Sequence, residues 1–365
     1  MVFNSIFFIF CFLPVFMLIY YLVPGKLRNL LLFLGSLIFY AWGEPVYVIL
    51  MLFSSIFNYY MGTELERLYY DDRKQKINLI FSIIINLAVL VFFKYYGFLL
   101  NTIGGIIGIH IPHPELSLPI GLSFYTFRNL SYLFDIYLSK VSAQRNFLTF
   151  AVYSTMFPYT SAGPIVRYTD IETQLKQRTI NISKFGIGAE LFVKGLAKKV
   201  LLADNLSVLY SSICGHPQMS VFTSWLGILA YTMQLYFDFS GYSDMAIGLG
   251  KMLGFDFNKN FDYPYISTSV SEFWRRWHIS LGSWFRDYIY IPLGGNRVST
   301  LKHIRNILVV WALTGLWHGA SWNFVLWGVY YGLFLLLEKF VLQKYLKKIP
   351  SWLCTVYTLS LIHIS

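Results

Sequence analysis

A histidine stands inside one of the most apolar stretches of the chain, TGLWHGASWNFVLWG, residues 314–328. Residues 307–337 contain no Asp, Glu, Lys or Arg, and as one straight helix they would be about 46 Å long. That length fits either a single tilted membrane span or two short helices that break near Gly315 and Gly319. In both arrangements His318 lies about 16 Å from Ile307, which predicts a position near mid-depth in the membrane.

An imidazole at this depth suits one kind of chemistry. Ionisable groups inside a membrane are costly and are commonly functional, and a neutral imidazole is a good general base near neutral pH. His318 is therefore a candidate to accept a proton from a hydroxyl group that attacks a thioester. The alternative is a structural histidine that hydrogen-bonds a neighbouring carbonyl group. No GxSxG, HExxH, CxxC or P-loop pattern indicates a different active site.

A second histidine belongs to the segment SEFWRRWHISLGSWFRDYIYIPLGGNR, residues 271–297. Plotted as one helix, its aromatic residues fill one arc and its arginines the opposite arc, with His278 at the boundary. The segment is too charged to cross a bilayer, so it predicts an amphipathic helix that lies in the cytoplasmic membrane interface. Arg275, Arg276 and Arg286 would attract anionic lipid or receive an anionic substrate, and the sequence leaves both possibilities open.

The elements that carry these residues belong to a membrane protein. The 365 residues are 56% hydrophobic and 13% charged, against about 25% charged in a typical soluble domain. The formal net charge of +11 does not indicate nucleic-acid binding, because the basic residues are spread along the chain. Three widely spaced cysteines, Cys11, Cys214 and Cys354, form no zinc pattern, so no metal is predicted. The expected fold class is all-α, a polytopic bundle of transmembrane helices in a single domain over residues 1–365.

Apolar runs predict membrane helices at 3–23, 29–43, 45–61, 77–99, 118–138, 186–202, 221–250, 307–337 and from 352 onward. The long run 221–250 contains Gly241, where a break is possible. Lysines and arginines concentrate in every second connection, which predicts an external N-terminus and basic connections in the cytoplasm. Residues 1–23 have no basic region and no cleavage site, so they predict a membrane helix and not a cleaved signal peptide.

Two basic residues interrupt this pattern. Lys94 lies near the end of a predicted span, and we expect its side chain to reach the membrane interface, with a functional position inside the bundle as the alternative. Arg128 lies in the middle of a predicted span, seven residues before Asp135 and on the same helical face. This spacing predicts an intramembrane ion pair between Arg128 and Asp135.

Several stretches closely resemble the bacterial membrane-bound O-acyltransferase (MBOAT) superfamily. They are QLYFDFSGYSDMAIGLGKMLGF (234–255), FDYPYISTSVSEFWRRWHISLGSWFRDYIYIPLGGNR (261–297) and LTGLWHGASWNFVLWGVYYG (313–332), together with FFKYYGF, LPIGLSFYTFRNLSYLFDIY and FPYTSAGPIVRY upstream. The resemblance covers nearly the whole chain from about residue 90. The sequence is most similar to the AlgI-like alginate O-acetyltransferase branch and the PatA-like peptidoglycan acetyltransferases, and less similar to the DltB-related proteins.

The resemblance implies a fold and a reaction. The fold would be a helical bundle with a central tunnel and interfacial or re-entrant helices. His318 corresponds to the essential histidine of the family and His278 to the second family histidine, while Arg275, Arg276 and Arg286 would favour donor docking. No bound cofactor is implied. The donor substrate would be acetyl-CoA or an acylated carrier.

The resemblance also implies a location and partners. The protein would reside in the bacterial inner (cytoplasmic) membrane, in contact with membrane lipid, and would pass acetyl groups to an extracytoplasmic SGNH-type acetyltransferase or another acceptor protein. The polymer would be alginate, peptidoglycan or another polysaccharide. Two departures stand out: Arg128 replaces an uncharged polar residue, and the chain stops within the apolar segment CTVYTLSLIHIS, which predicts a C-terminally truncated reading frame.

Two other classes of function remain as alternatives. A transporter or flippase for an envelope precursor would move its substrate without covalent chemistry, and it predicts an internal repeat with paired broken helices. The sequence contains no such symmetry. A structural scaffold for a polysaccharide export complex is the third possibility, and it predicts that neither histidine is needed.

Overall fold

The computed structural model describes residues 1–114, 116–216 and 219–364, with the backbone alone at Ile364. Every regular element in these ranges is helical, which confirms the predicted all-α fold class. A π-helical turn, Lys198–Ala203, joins the helix that ends at Ala197 to the helix that begins at Asp204. In chain order the helices are α1 Phe8–Leu22, α2 Arg28–Ala41, α3 Val48–Arg67, α4 Asp72–Ile107, α5 Leu122–Tyr137, α6 Phe147–Thr155, α7 Tyr168–Lys176, α8 Ile182–Ala197, α9 Asp204–Cys214, α10 Val221–Met252, α11 Val270–Arg276, α12 Ile279–Phe285, α13 Thr300–His318, α14 Trp322–Leu346 and α15 Ser351–Ile364.

Three helices in the described part of the chain, α3, α4 and α14, are long and apolar enough to cross a membrane by length and composition. The predicted spans correspond to helices, although α4 is longer than the predicted 77–99 and the short helices α6, α7 and α9 were not predicted. The predicted single run 307–337 is divided between α13 and α14, so the two-helix alternative is the one observed.

The possible break at Gly241 is absent, because α10 is continuous from Val221 to Met252. Gly241 instead lies against α8. A Cβ atom at Gly241 would be 2.7 Å from the carbonyl oxygen of Gly195, and one at Gly248 would be 2.6 Å from that of Gly188. These glycines let two helix backbones approach closely, which is a common mode of packing between membrane helices.

The helix α5 lies in the centre of the bundle. All but three of its residues are buried, among them the polar residues Arg128, Asn129, Ser131 and Asp135. A polar helix in this position is stable only if its side chains find hydrogen-bond partners in the neighbouring helices. Asn129 does so by donating to Ser54 of α3 at 3.0 Å and accepting from Ser154 of α6 at 3.1 Å.

The predicted ion pair between Arg128 and Asp135 does not form. The guanidinium of Arg128 donates to the carbonyl oxygens of Tyr159 at 2.7 Å and Ser154 at 3.0 Å. Asp135 accepts instead from Lys140, with the two atoms 3.2 Å apart, and from the hydroxyl of Tyr288 at 2.8 Å. Seven residues place Arg128 and Asp135 about 10 Å apart along the helix axis, and each side chain is bound by nearer groups.

Candidate active site

The helices α13 and α14 form a hairpin whose backbones are in contact. A Cβ atom at Gly315 would lie 2.1 Å from the carbonyl oxygen of Phe324, and one at Gly328 would lie 2.2 Å from that of Trp311. Only glycine fits at these two positions, because any side chain would overlap main-chain atoms. The break between the helices extends from Gly319 to Ser321, so His318 is the last residue of α13.

His318 lies at this break with aromatic rings on both sides. The centroid of its imidazole is 5.0 Å from the ring centroid of Trp317 and 5.0 Å from that of Trp327. The side chain is half-buried and lines a cavity of about 850 Å³. The imidazole is therefore accessible from inside the protein.

The C-terminal turn of α13 is held by two side chains of α4. Lys94 donates to the carbonyl oxygen of Trp317, and the hydroxyl of Tyr95 donates to that of Leu316 at 2.8 Å. The last carbonyl groups of a helix have no partner within it, and a cation is favourable at that end. Lys94 does not extend to the membrane interface as expected, because its ammonium group is bound next to His318.

The two histidines lie on the same cavity and share a neighbour. His278 also lines the cavity of about 850 Å³, and its ring centroid is 5.8 Å from that of Trp317. Trp317 therefore contacts both imidazoles, although the histidines are 40 residues apart in the sequence. The structure brings together the two residues that sequence analysis had selected on separate segments.

His278 connects α11 to α12 in a left-handed backbone conformation, with φ 45° and ψ 53°. Few residues other than glycine adopt this conformation, although histidine does so more often than most. The turn is stabilised by the N–H of Ile279, which donates to the carbonyl oxygen of Asn260 at 2.9 Å. It directs the imidazole into the protein, where His278 is only 3% exposed.

The side chain of Asn260 contacts the imidazole of His278. Its Oδ1 lies 3.2 Å from Nδ1 of His278 and accepts from the main-chain N–H and the hydroxyl of Ser280, at 3.2 and 2.9 Å. Its Nδ2 donates to the hydroxyl of Ser243 at 3.1 Å. Within the described residues, the other imidazole nitrogen of His278, Nε2, is buried and has no hydrogen-bond partner.

The segment 271–297 is not one amphipathic helix on the membrane surface, so that prediction is wrong. The helix is interrupted at Trp277 and His278, between α11 and α12. The predicted apolar arc is largely buried in the protein. The indole of Trp284 stacks on Phe127 of α5 with centroids 4.0 Å apart and donates to its carbonyl oxygen at 3.0 Å.

The three arginines of this segment have different environments. Arg275 and Arg286 are among the residues that line the cavity of the two histidines, whereas Arg276 is not. Arg276 donates to Glu272 at 2.9 Å and lies 3.4 Å from a carboxylate oxygen of Asp262. The structure therefore places two of the three predicted donor-binding arginines on the cavity, and Arg276 between two acidic residues.

Sequence analysis did not select two lysines that also line this cavity, Lys339 and Lys347. Lys339 lies 3.1 Å from Nε2 of His303. Next to it, the buried carboxylate of Glu338 accepts from the N–H of Val270 at 2.6 Å and thereby caps α11. Lys339, Lys344, Lys347 and Lys348 form a basic run at the end of α14, and this run is the sequence signal that could have identified them.

A second cavity, of about 860 Å³, borders the same break. It is lined by residues 320–322, by Lys94 and by the second half of α4, including Asn101. His113 also lines it and lies 3.1 Å from Oδ1 of Asn101. Since His318 lines the first cavity and residues 320–322 line the second, the two cavities approach each other at the break.

The described residues contain no group of three or more His, Cys, Asp or Glu side chains that could hold a metal ion. Cys11 and Cys214 are exposed free thiols, and Cys354 is a buried one. The polar groups at and near the break include His318, His278, Lys94 and Ser321, a set suited to proton transfer and hydrogen bonding.

Comparisons with known proteins agree on one family. Residues 42–350 match the membrane-bound O-acyltransferase family. The chain is 45% identical to the probable alginate O-acetylase AlgI of Pseudomonas aeruginosa over 93% of its own length and 66% of that protein. It is 35% identical to the peptidoglycan O-acetyltransferase of Helicobacter pylori over 97% and 75% of the two chains. It is 29% identical to the teichoic acid D-alanyltransferase of Bacillus subtilis over 67% and 64%. The chain spans about two thirds of the length of the alginate O-acetylase that it matches.

Proposed function

The chain belongs to the membrane-bound O-acyltransferase family, and we propose that it passes an acetyl group from a cytoplasmic thioester across the membrane for O-acetylation of an extracytoplasmic polysaccharide. The names of its relatives support this class of reaction. Alginate O-acetylase and peptidoglycan O-acetyltransferase both transfer acetyl groups to polymers, and teichoic acid D-alanyltransferase transfers a different acyl group. The relatives with the higher sequence identities are named for alginate and for peptidoglycan, so these are the two polymers that we favour.

One observation carries the proposal. His318 ends a helix at a break that borders two cavities, one lined by His318 and His278 and the other by residues 320–322. A reaction that joins a donor from one side of a membrane to an acceptor from the other requires such a meeting point. The arrangement supports His318 as the catalytic residue and His278 as its assistant.

The proposed reaction is a single acyl transfer. The neutral imidazole of His318 accepts the proton of the acceptor hydroxyl while the hydroxyl oxygen attacks the thioester carbonyl carbon. The carbon–sulfur bond then breaks, and the leaving thiolate takes the proton from the imidazolium. The products are an acetyl ester and a free thiol, and His318 returns to its neutral form.

The donor enters in this proposal through the first cavity. Arg275, Arg286, Lys339 and Lys347 line it, and these cations suit the phosphate groups of acetyl-CoA or of an acylated carrier. Arg276, which was included in the donor site from the sequence, is bound to Glu272. We therefore restrict the proposed arginine contribution to Arg275 and Arg286.

The acceptor would approach through the second cavity. Its lining includes the second half of α4, and the positive-inside pattern puts the first half of α4, with Arg73, Lys74 and Lys76, in the cytoplasm. The second cavity would then open toward the outside of the bacterial cytoplasmic membrane. The proposed partner there is an SGNH-type acetyltransferase or another acceptor protein that carries the acetyl group to the polymer.

The competing function is transport or flipping of an envelope precursor without covalent chemistry. Two cavities that border one break also suit that function. The difference is measurable, because a transporter supplied with acetyl-CoA releases no free CoA thiol. A scaffold likewise releases none, and it keeps its function when both histidines are replaced by glutamine.

The decisive experiment measures thiol release from acetyl-CoA by membranes that contain the protein. We expect release that depends on an acceptor, and we expect His318→Ala to abolish it. His278→Gln is expected to reduce the rate and leave a measurable remainder. The amount of each variant in the membrane is measured by immunoblot.

A matched control is His216→Gln, which changes a histidine in the connection between α9 and α10, far along the chain from the break. This variant is expected to keep the wild-type rate. Normal thiol release by the His318→Ala variant at wild-type protein level would contradict the mechanism, and the absence of any release from the wild-type protein would favour a transporter or a scaffold.

A further inference from the structure

We infer that Asn260 is a positioning residue for the acyl transfer, because its side chain fixes the orientation and the protonated nitrogen of His278. The inference rests on the proposed function, in which His278 assists His318. Asn260 lies 18 residues before His278 in the loop between α10 and α11, and it is 1% exposed.

The orientation of the Asn260 amide follows from its partners. The main-chain N–H of Ser280 can only donate a hydrogen bond, and it points to one of the two terminal atoms of the Asn260 amide at 3.2 Å. That atom must therefore be the oxygen, which leaves Nδ2 to donate to the hydroxyl of Ser243 at 3.1 Å. The hydroxyl of Ser280 accepts from the N–H of Ile165 at 3.0 Å, so it is free to donate its own hydrogen to the same oxygen.

The orientation of the Asn260 amide in turn determines which nitrogen of the His278 imidazole is protonated. An amide oxygen only accepts hydrogen bonds, so Nδ1 of His278 must carry a hydrogen to bind it at 3.2 Å. In the neutral ring the lone pair then lies on Nε2, the nitrogen that is buried and without a partner in the described part of the chain. His278 is among the residues that line the cavity, so a hydroxyl or amide N–H that reaches Nε2 from there would find an acceptor.

The main chain strengthens the same arrangement. The carbonyl oxygen of Asn260 accepts from the N–H of Ile279, which holds the left-handed turn at His278. A non-glycine residue in this conformation persists only where its surroundings fix it. Asn260 therefore binds His278 through its side chain and the next residue through its main chain, and only the side-chain contact is removable by substitution.

The test replaces Asn260 by leucine, which has a similar size and no acceptor, and by aspartate, which keeps an oxygen acceptor. The assay is acceptor-dependent thiol release from acetyl-CoA in membranes, normalised to protein level. We expect Asn260→Leu to lower kcat roughly tenfold with little change in the KM for acetyl-CoA, since the hydrogen bond that holds His278 in the transition state is among those lost. Asn260→Asp is expected to recover most of the rate.

Ser243→Ala is the matched control. It removes the partner of Nδ2 and leaves Oδ1 and its three contacts in place. We expect its kcat to stay within about twofold of the wild-type value. An equal loss in the Ser243→Ala and Asn260→Leu variants would show that the network stabilises the fold and does not position His278, and would overturn the inference.

A double-mutant cycle with His278→Gln gives an independent answer. If Asn260 acts through His278, then Asn260→Leu lowers the rate of the wild-type protein but not that of the His278→Gln variant. An equal factor in both backgrounds overturns the inference. If the Asn260→Leu variant does not accumulate in membranes, or if the His278→Gln variant has no measurable rate, the rates of the Asn260→Asp and Ser243→Ala variants are compared. A large loss of rate in Asn260→Asp overturns the inference.

These outcomes differ from a failure of the proposed function. If the proposed function were wrong, the wild-type protein itself would release no thiol, or the His318→Ala variant would release it normally. A wild-type rate that is lost in His318→Ala but unaffected by Asn260→Leu would leave the function standing and remove only the role of Asn260.

Discussion

The ammonium group of Lys94 is bound to the carbonyl oxygen of Trp317, the residue that precedes His318. The two residues are 223 positions apart in the sequence, and their contact joins the middle of α4 to the end of α13. Lys94 also lines the second cavity, whereas His318 lines the first. A basic side chain on one side of the break thus holds the main chain of the proposed catalytic residue on the other side.

This contact predicts that Lys94 is needed for the geometry of His318. Lys94→Met leaves the carbonyl oxygen of Trp317 without its donor, and an unpaired buried acceptor costs about 1–3 kcal/mol. We expect at least a tenfold lower rate of thiol release from acetyl-CoA, and partial recovery in Lys94→Arg because a cation returns to the helix end. The exposed Lys76 of the same helix provides the control Lys76→Met. Wild-type rates in the Lys94→Met variant would contradict the prediction.

The cavity lining predicts that neighbouring arginines differ in their contribution to donor binding. Arg275 lines the cavity, so Arg275→Gln is expected to raise the KM for acetyl-CoA roughly tenfold, as expected for the loss of one charge-assisted hydrogen bond. Arg276 is bound to Glu272 and Asp262, so Arg276→Gln is expected to leave that KM unchanged. Initial rates over a range of acetyl-CoA concentrations, at constant ionic strength, give both values. Equal effects would show that the cavity does not receive the donor.

The close contact between α13 and α14 predicts that Gly315→Ala disrupts the hairpin. The new Cβ atom would lie 2.1 Å from the carbonyl oxygen of Phe324, so the helices must separate. We expect a lower thermal stability of the detergent-solubilised protein and loss of acetyl transfer. Gly186→Ala is the control, because no atom lies within 4 Å of its added Cβ and alanine is the better helix former. Equal melting temperatures for the Gly315→Ala variant and the wild-type protein would contradict the observed packing.

Arg128 gives a prediction about stability. Its guanidinium binds two carbonyl oxygens and lies 4.5 Å from the ring centroid of Tyr159. Arg128→Met leaves both carbonyl groups without these donors, whereas Arg128→Gln retains a donor. We expect methionine to lower the melting temperature more than glutamine, since each unpaired carbonyl costs about 1–3 kcal/mol. A methionine variant as stable as the wild-type protein would show that the cost of burying the guanidinium exceeds the value of its hydrogen bonds.

Much of the fold could be predicted from the sequence because membrane helices are encoded locally. Length, low charge and apolar runs define them, and the absence of charge over 307–337 was enough to place His318 within the bundle. The break next to His318 was one of two arrangements allowed by length, and the glycines at 315 and 319 marked its vicinity. The family resemblance, carried by motifs around both histidines, is confirmed by the match over residues 42–350.

The predictions that the structure contradicts are wrong for one shared reason. The apolar arc of residues 271–297 was assigned to lipid, but Trp284 packs on Phe127 of α5. A helical wheel reports that a face is apolar and does not report whether lipid or protein covers it. The predictions for Lys94 and Asp135 are wrong for a related reason, since Lys94 binds Trp317 and Asp135 binds Tyr288, residues distant in sequence.

The sequence by itself determined that this chain is an all-α membrane protein, that it belongs to an acyltransferase family and that two histidines deserve a test. Each of these properties depends on composition or on motifs read along the chain. Only the tertiary structure decided that Trp317 contacts both imidazoles, that Lys94 holds the end of α13 and that Asn260 fixes the ring of His278. Apart from the neighbours Trp317 and His318, those contacts join residues from 18 to 223 positions apart, and the packing of the helices, which no local pattern encodes, sets their geometry.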